Sequence, residues 1–141
     1  MNSRHYLSTL ITLMLLWFPF INTHAQTTLS PSDHCRNFSA DAIVSFADQD
    51  LAEVVNDALG LDSQAPLTCG QAAELEQLIV GTTIERVVYG GTLRPPPEKP
   101  FESLEGIQNL TGLTRLNLIN RLITDISPIR TLSNLVNLNL H

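Results

Sequence analysis

The sequence predicts an α/β protein in which short strand-and-turn units stack as a leucine-rich repeat solenoid behind a small helical segment. Three observations carry that reading. Leu110, Leu113, Leu116 and Leu118 recur as Leu132, Leu135, Leu138 and Leu140, each displaced by the same interval, and Asn117 recurs with them as Asn139. A period in the twenties with this spacing marks units that cannot bury their apolar face alone and must stack on neighbours. Upstream, the apolar residues between Phe46 and Gly60 fall at helical spacing. Ahead of both stands an isolated apolar run. A protein made by stacking presents a surface, which points to binding rather than chemistry.

Residues 1–25 read as a secretory signal peptide. Arg4, His5 and the amino terminus make a weakly positive start, residues 7–21 form an apolar run broken by Pro19, and Thr23-His24-Ala25 offers small residues before a cut at Gln26. The alternative is an uncleaved anchor, but the run is shorter than the roughly 20 residues a spanning helix needs and contains Ser8, Thr9 and Thr12. No transmembrane span is expected in the mature chain. Cleavage removes Arg4 and no acidic residue, leaving seven basic against 14 acidic side chains, a charge of −7. Nucleic acid is thereby excluded as a partner, since phosphate binding needs clustered basic residues.

Both cysteines, Cys35 and Cys69, lie in the mature part. In an oxidising compartment a disulfide between them is the economical expectation. A metal pair would need histidines at ligand spacing, and Cys35 stands too far from the apolar run to be a lipid-anchored cysteine.

After an irregular leader at 26–43, Leu51, Val54, Val55, Ala58 and Leu59 define one face of an amphipathic helix. Asp48 is its natural N-cap, Asp50 and Glu53 suit the positive end of the dipole, and Gly60 is a C-terminal stop. A second helix is expected from Thr68, which can form a capping box with Gln71, and is expected to continue through Ala72, Leu75 and Leu78.

Ile84, Val87 and Tyr89 then match the offsets of Leu113, Leu116 and Leu118, as in a degenerate first strand ended by Gly90 and Gly91. Residues 92–100 include Pro95, Pro96, Pro97 and Pro100. Proline lacks the amide donor and fixes its own φ, so this stretch is expected to be a loop inserted in the first turn. The period resumes at Phe101, Leu104 and Ile107, which stand one full repeat before Ile123, Ile126 and Ile129. The expected organisation is therefore signal peptide 1–25, leader 26–43, helical segment 44–80 and repeats 81–141.

Along each strand, alternate side chains point inward and outward. Each inward leucine stabilises the stack by roughly 1.5 to 3 kcal/mol, so those positions are strict while outward ones are free to carry specificity. Arg86, Val88, Arg115, Asn117, Ile119, Asn137 and Asn139 are the outward candidates for ligand contact.

The doubled Leu-x-x-Leu-x-x-Leu-Asn-Leu segment, followed by Ile123-Thr-Asp-Ile-Ser-Pro-Ile129, resembles the 22-residue repeats of the bacterial internalin family. Residues 46–60 and the helix after Thr68 look like that family's helical N-terminal cap, so the resemblance covers roughly residues 44–141. It implies a curved solenoid with a parallel sheet on the concave side, helical or 3₁₀ turns on the convex side, and recognition of a protein or glycan on the concave face. Two departures stand out. Arg121 replaces an asparagine of the usual turn, although Asn120 fits, and the repeats stop at His141 as a strand ends. A solenoid needs about three units and a polar end, so the array is expected to be incomplete at its C-terminus.

No catalytic chemistry is legible. The mature chain keeps only His34 and His141, neither beside a nucleophile or metal partner, and no phosphate loop or zinc spacing occurs. Asn37 and Asn109 begin glycosylation-type triplets, but neither is counted as a site. The expectation is an exported binding module, not an enzyme and without a cofactor, that forms the N-terminal part of a longer protein. The alternatives are repeats that guide a catalytic domain beyond residue 141, or a truncated frame without function.

Overall fold

The structure, a computed structural model, describes residues 25–80, 87–89, 92–94, 102–118 and 122–140. The expected signal segment through residue 24 lies outside the described residues, as do Ile84, Arg86, Ile119, Asn120, Arg121 and His141. The elements are α1 (Gln49–Ala58), α2 (Cys69–Glu74), β1 (Gln77–Val80), β2 (Val87–Tyr89), β3 (Thr92–Arg94), β4 (Arg115–Leu118) and β5 (Asn137–Asn139). Short 3₁₀ turns occupy Cys35–Asn37, Ile107–Asn109 and Ser127–Thr131.

Helix α1 begins where Asp48 accepts hydrogen bonds from the amides of Asp50 (3.0 Å) and Leu51 (3.4 Å). It ends in a Schellman motif: the Leu61 amide donates to Asn56, the Gly60 amide donates to Asp57, and Gly60 takes φ +71°. Leu51, Val54 and Val55 are buried on its inner face. Of the two carboxylates expected in its first turn, only Asp50 is there; Glu53 lies further along and accepts from Gln64 Nε2 at 3.0 Å.

Thr68 and Gln71 form the expected capping box at the start of α2. The helix is shorter than expected, however. It stops at Glu74, Leu75 turns to extended backbone, and Leu78 belongs to β1. Ala72, Leu75 and Leu78 follow one another at every third position and so mimic a helix face, but the alternation of exposed Gln77, buried Leu78 and buried Val80 is a strand's.

Strands β1, β4 and β5 form an open parallel sheet in that order. Leu78 pairs with Leu116 and Leu116 with Leu138; Val80 pairs with Leu118. This corrects the first strand, expected at Ile84, Val87 and Tyr89. The rung preceding β4 lies earlier, at Gln77–Val80, while Val87–Tyr89 pairs antiparallel with Thr92–Arg94 as a separate two-stranded sheet. The expected loop at 92–100 thus begins as strand, because Thr92, Leu93 and Arg94 precede the first proline and keep their amides. Between β4 and β5 the step equals the sequence period, with Arg115 beside Asn137. Between β1 and β4 it is 38, as in the bond from Thr114 to Glu76. The longer step accommodates the β2–β3 hairpin.

A continuous core runs from α1 through Ala72, Leu78 and Val80 to Leu104, Ile107, Leu110, Leu113, Leu116 and Leu118. Cys35 and Cys69 are bonded as expected, closing a separation of 34 residues. In the chain-entropy picture that closure stabilises the fold by roughly 3 to 4 kcal/mol. Two glycines permit close approach where the helical segment meets the first turn. A Cβ at Gly106, which has φ +107°, would meet Ser45 and Phe46; one at Gly112 would overlap the carbonyl oxygen of Ala73. Gly112→Ala is therefore expected to lower the unfolding free energy by about 1 to 3 kcal/mol. Urea unfolding checks this, and an unchanged midpoint would show that the seam is looser than described.

Candidate functional site

Alternation along β4 and β5 turns Leu116 toward the core and Arg115, Asn117, Asn137 and Asn139 to the opposite face. In parallel register Arg115 stands beside Asn137, and Asn117 beside Asn139. Four of the seven sequence-predicted contact residues thereby line one open depression of about 320 Å³, together with Leu116 and Leu138. Arg115 is exposed and its Nη1 donates to Gln77 Oε1 across the sheet at 3.3 Å. Asn117 is half-buried, and its Oδ1 is a buried acceptor with no hydrogen-bond partner among the described residues. Leaving such a group unpaired costs about 1 to 3 kcal/mol. Chemically the surface offers one guanidinium and three amides, a set suited to directional hydrogen bonding.

Of the remaining three candidates, one falls among the described residues. Val88 lies on β2, in the antiparallel hairpin rather than the parallel sheet. Arg86 and Ile119 lie outside the described residues.

A second polar cluster was not anticipated. Gln108 Nε2 donates to the carbonyls of Pro31 and Asp33, Asn109 Nδ2 donates to the Asp33 carbonyl, and Asn109 Oδ1 accepts from the Cys35 amide at 2.7 Å. These buried amides clasp the leader onto the first 3₁₀ turn beside the disulfide. Their equivalents in the next turn, Arg130 and Thr131, are exposed and hold nothing comparable. The available signal was the change from Gln-Asn to Arg-Thr between turns whose Ile107, Leu110 and Leu113 recur as Ile129, Leu132 and Leu135. At 1% exposure Asn109 is also closed to glycosylation in the folded protein, whereas Asn37 is exposed.

Asp125 organises the turn before Ser127–Thr131. Its Oδ1 accepts from the Ser127 amide at 2.8 Å and Oδ2 from the Ser127 hydroxyl at 2.9 Å. The backbone bond first, and the hydroxyl bond second, hold its carboxyl below the ordinary aspartate range. Among the described residues no group of three or more His, Cys, Asp or Glu could hold a metal ion, and no helix is long and apolar enough to cross a membrane.

With this geometry in view, comparison with solved structures is informative. The fold is similar to that of an internalin. The match is to inlF of Listeria monocytogenes str. 4b F2365, 29% identical, with a TM-score of 0.52 over 67% of this chain and 24% of that chain. The CBM51-2 and INT domain structure of Clostridium perfringens ZmpB matches at 22% identity and TM-score 0.54, over 72% of this chain and 18% of that one. The same protein with GlcNAc bound to CBM51-2 gives 19% identity and TM-score 0.50, with the same coverages. The ZmpB matches concern the fold alone. No family model and no curated protein matches the chain. It spans less than a quarter of the length of each of these three solved chains.

For Asp125 the expected outcome is a carboxyl titration below that of an unstructured aspartate, moving upward in Ser127→Ala, as read by NMR. Because the folded value is the lowered one, any stabilisation is present above the unfolded value and lost as pH falls through the folded one. Identical titrations in the two proteins would contradict the assignment.

Proposed function

We propose that the chain is an exported leucine-rich repeat binding module that takes a protein or glycan ligand on the outward face of β4 and β5. The observation that carries this reading is the depression that Arg115, Asn117, Asn137 and Asn139 line on the outward face of the sheet. Amides present a donor and an acceptor each, and the guanidinium adds a directional, charge-assisted donor. Peptide groups and sugar hydroxyls both match that set.

The likeness to an internalin supports a binding role, and the signal-like start supports export. For ZmpB, the bound GlcNAc belongs to that protein's CBM51-2 and bears on this chain only as a reason to include glycans in a ligand search. A catalytic reading lacks a nucleophile paired with a base anywhere in the depression.

The test is a screen of the purified chain against immobilised glycans and extracellular proteins, followed by substitution. Arg115→Ala and Asn137→Ala, both at exposed positions, are expected to weaken any specific hit by about tenfold or more. Arg130→Ala, on the 3₁₀ turn away from the sheet face, is expected to leave it unchanged. Binding that survives the first two changes and disappears with the third would overturn the assignment.

A further inference from the structure

We propose that the leader segment 30–39 is a redox-latched strap: it lies closed over the first 3₁₀ turn while Cys35 and Cys69 are bonded, and comes off that turn as a unit when they are reduced, with the rest of the fold intact. The segment and its two ends are held in different ways. On one side the Leu29 amide donates to Ile43 and the Ile43 amide to Thr27; on the other the Val44 amide donates to Leu67, and the amides of Cys69 and Gly70 donate to Ala42 and Ala40. None of these backbone bonds needs the disulfide. Thr28 pairs with Ile43, which brings the ends of the intervening loop together in the manner of an Ω-loop. Leu29, Ala42 and Val44 anchor those ends in the core.

Between the ends, no residue of 30–39 is fully buried, and Cys35 packs only at the margin of the core. Among the described residues, the segment is tied to the rest of the chain by the disulfide and by the bonds that Gln108 and Asn109 make to Pro31, Asp33 and Cys35. The bonds between Ser30 and Asp33 and between Cys35 and Phe38 are internal and travel with the strap. Its seat is polar. Gln108 and Asn109, 4% and 1% exposed, meet it through amide groups, which water satisfies once the strap leaves. Opening therefore wets amides at the strap's own contacts, the condition under which a loop opens locally without the rest unfolding.

The chemistry of opening follows from exposure. Cys35 is half-buried and Cys69 is 5% exposed, so an incoming thiolate meets Cys35 first. The thiolate bonds to Cys35 Sγ as the S–S bond breaks, and Cys69 leaves as a thiolate that takes up a proton. The second thiol of a dithiol reductant then displaces Cys35, leaving two protein thiols and the oxidised, cyclic reductant. Closing is the reverse, with a disulfide oxidant accepting the two electrons. Because Asn109 holds the Cys35 amide, the clasp and the disulfide favour one another, and loss of either weakens the other. The latch is a property of the folded chain and holds whether or not the sheet face binds the ligand proposed above.

Amide hydrogen exchange on the full chain, purified with the disulfide intact, tests this with and without dithiothreitol at one pH. Reduction should speed exchange of the Cys35 amide at least about tenfold, while the amides of Leu29, Ala72 and Thr114 stay within about twofold. Cys35→Ser/Cys69→Ser should reproduce the reduced pattern without reductant. Asn109→Ala, with urea melting as the control on its folding, should shift the equilibrium with glutathione at least about threefold toward the dithiol. Asn37→Ala, at an exposed strap position, should leave that equilibrium unchanged. Loss of protection at Leu29 and Thr114 together with Cys35 on reduction would overturn the proposal, because the disulfide would then hold the whole fold. Unchanged exchange at Cys35 would overturn it equally, as would a glutathione equilibrium indifferent to Asn109→Ala in the folded variant.

Discussion

Everything else in the molecule depends on the lateral stacking of inward side chains across three parallel strands. Leu78, Leu116 and Leu138 form one row, and Val80 aligns with Leu118 in a second. A single short strand has no independent stability, and a parallel pair buries its apolar face only when helices or turns cover it. Here Leu104, Ile107, Leu110 and Leu113 provide that cover from the turn before β4. Burial is complete at Leu78 and Leu116 and partial at Leu138, so among the described residues the β5 row is the least covered.

The β1 end is closed by bonds between segments far apart in sequence. Asp48 caps α1 with one carboxylate oxygen and accepts from the Glu102 amide with the other, joining the helical segment to the turn beyond the hairpin. The Glu105 carbonyl accepts from the Ala47 amide beside Gly106, where a side chain would collide with Phe46. On the other flank the disulfide fixes the leader to α2 while Gln108 and Asn109 fix it to the first 3₁₀ turn. Polar side chains buried this deeply are tolerable because their donors meet carbonyl partners; unpaired, each would be costly.

Much of this was legible in the residues. The leucine recurrence set the β4–β5 register, Asp48 and Gly60 marked the limits of α1, and the cysteine pairing followed from the expectation of an oxidising compartment. The first strand was misplaced because Ile84, Val87 and Tyr89 repeat the internal spacing of Leu113, Leu116 and Leu118, while the true rung is displaced by an insertion that breaks the period. The correct signal was present at another offset: Ala72, Leu75, Leu78 and Val80 repeat the spacing of Leu110, Leu113, Leu116 and Leu118 at an offset of 38. Local helical periodicity masked it. Four of the outward residues converge because alternation along a strand is a local rule, whereas Val88 went astray with the strand that carries it. The leader clasp was hidden because it depends on where a distant segment lies, which periodicity does not encode.

If the stacked row is the organising constraint, the decisive observation is which residue packs beside Leu116 on its N-terminal side. Methyl–methyl nuclear Overhauser spectroscopy on Leu- and Val-labelled protein reads this directly. The account requires a strong Leu78–Leu116 cross-peak and a Val80–Leu118 cross-peak. Absence of both, with Leu116 showing its contact to Val87 instead, would contradict the register on which the sheet and its depression both rest.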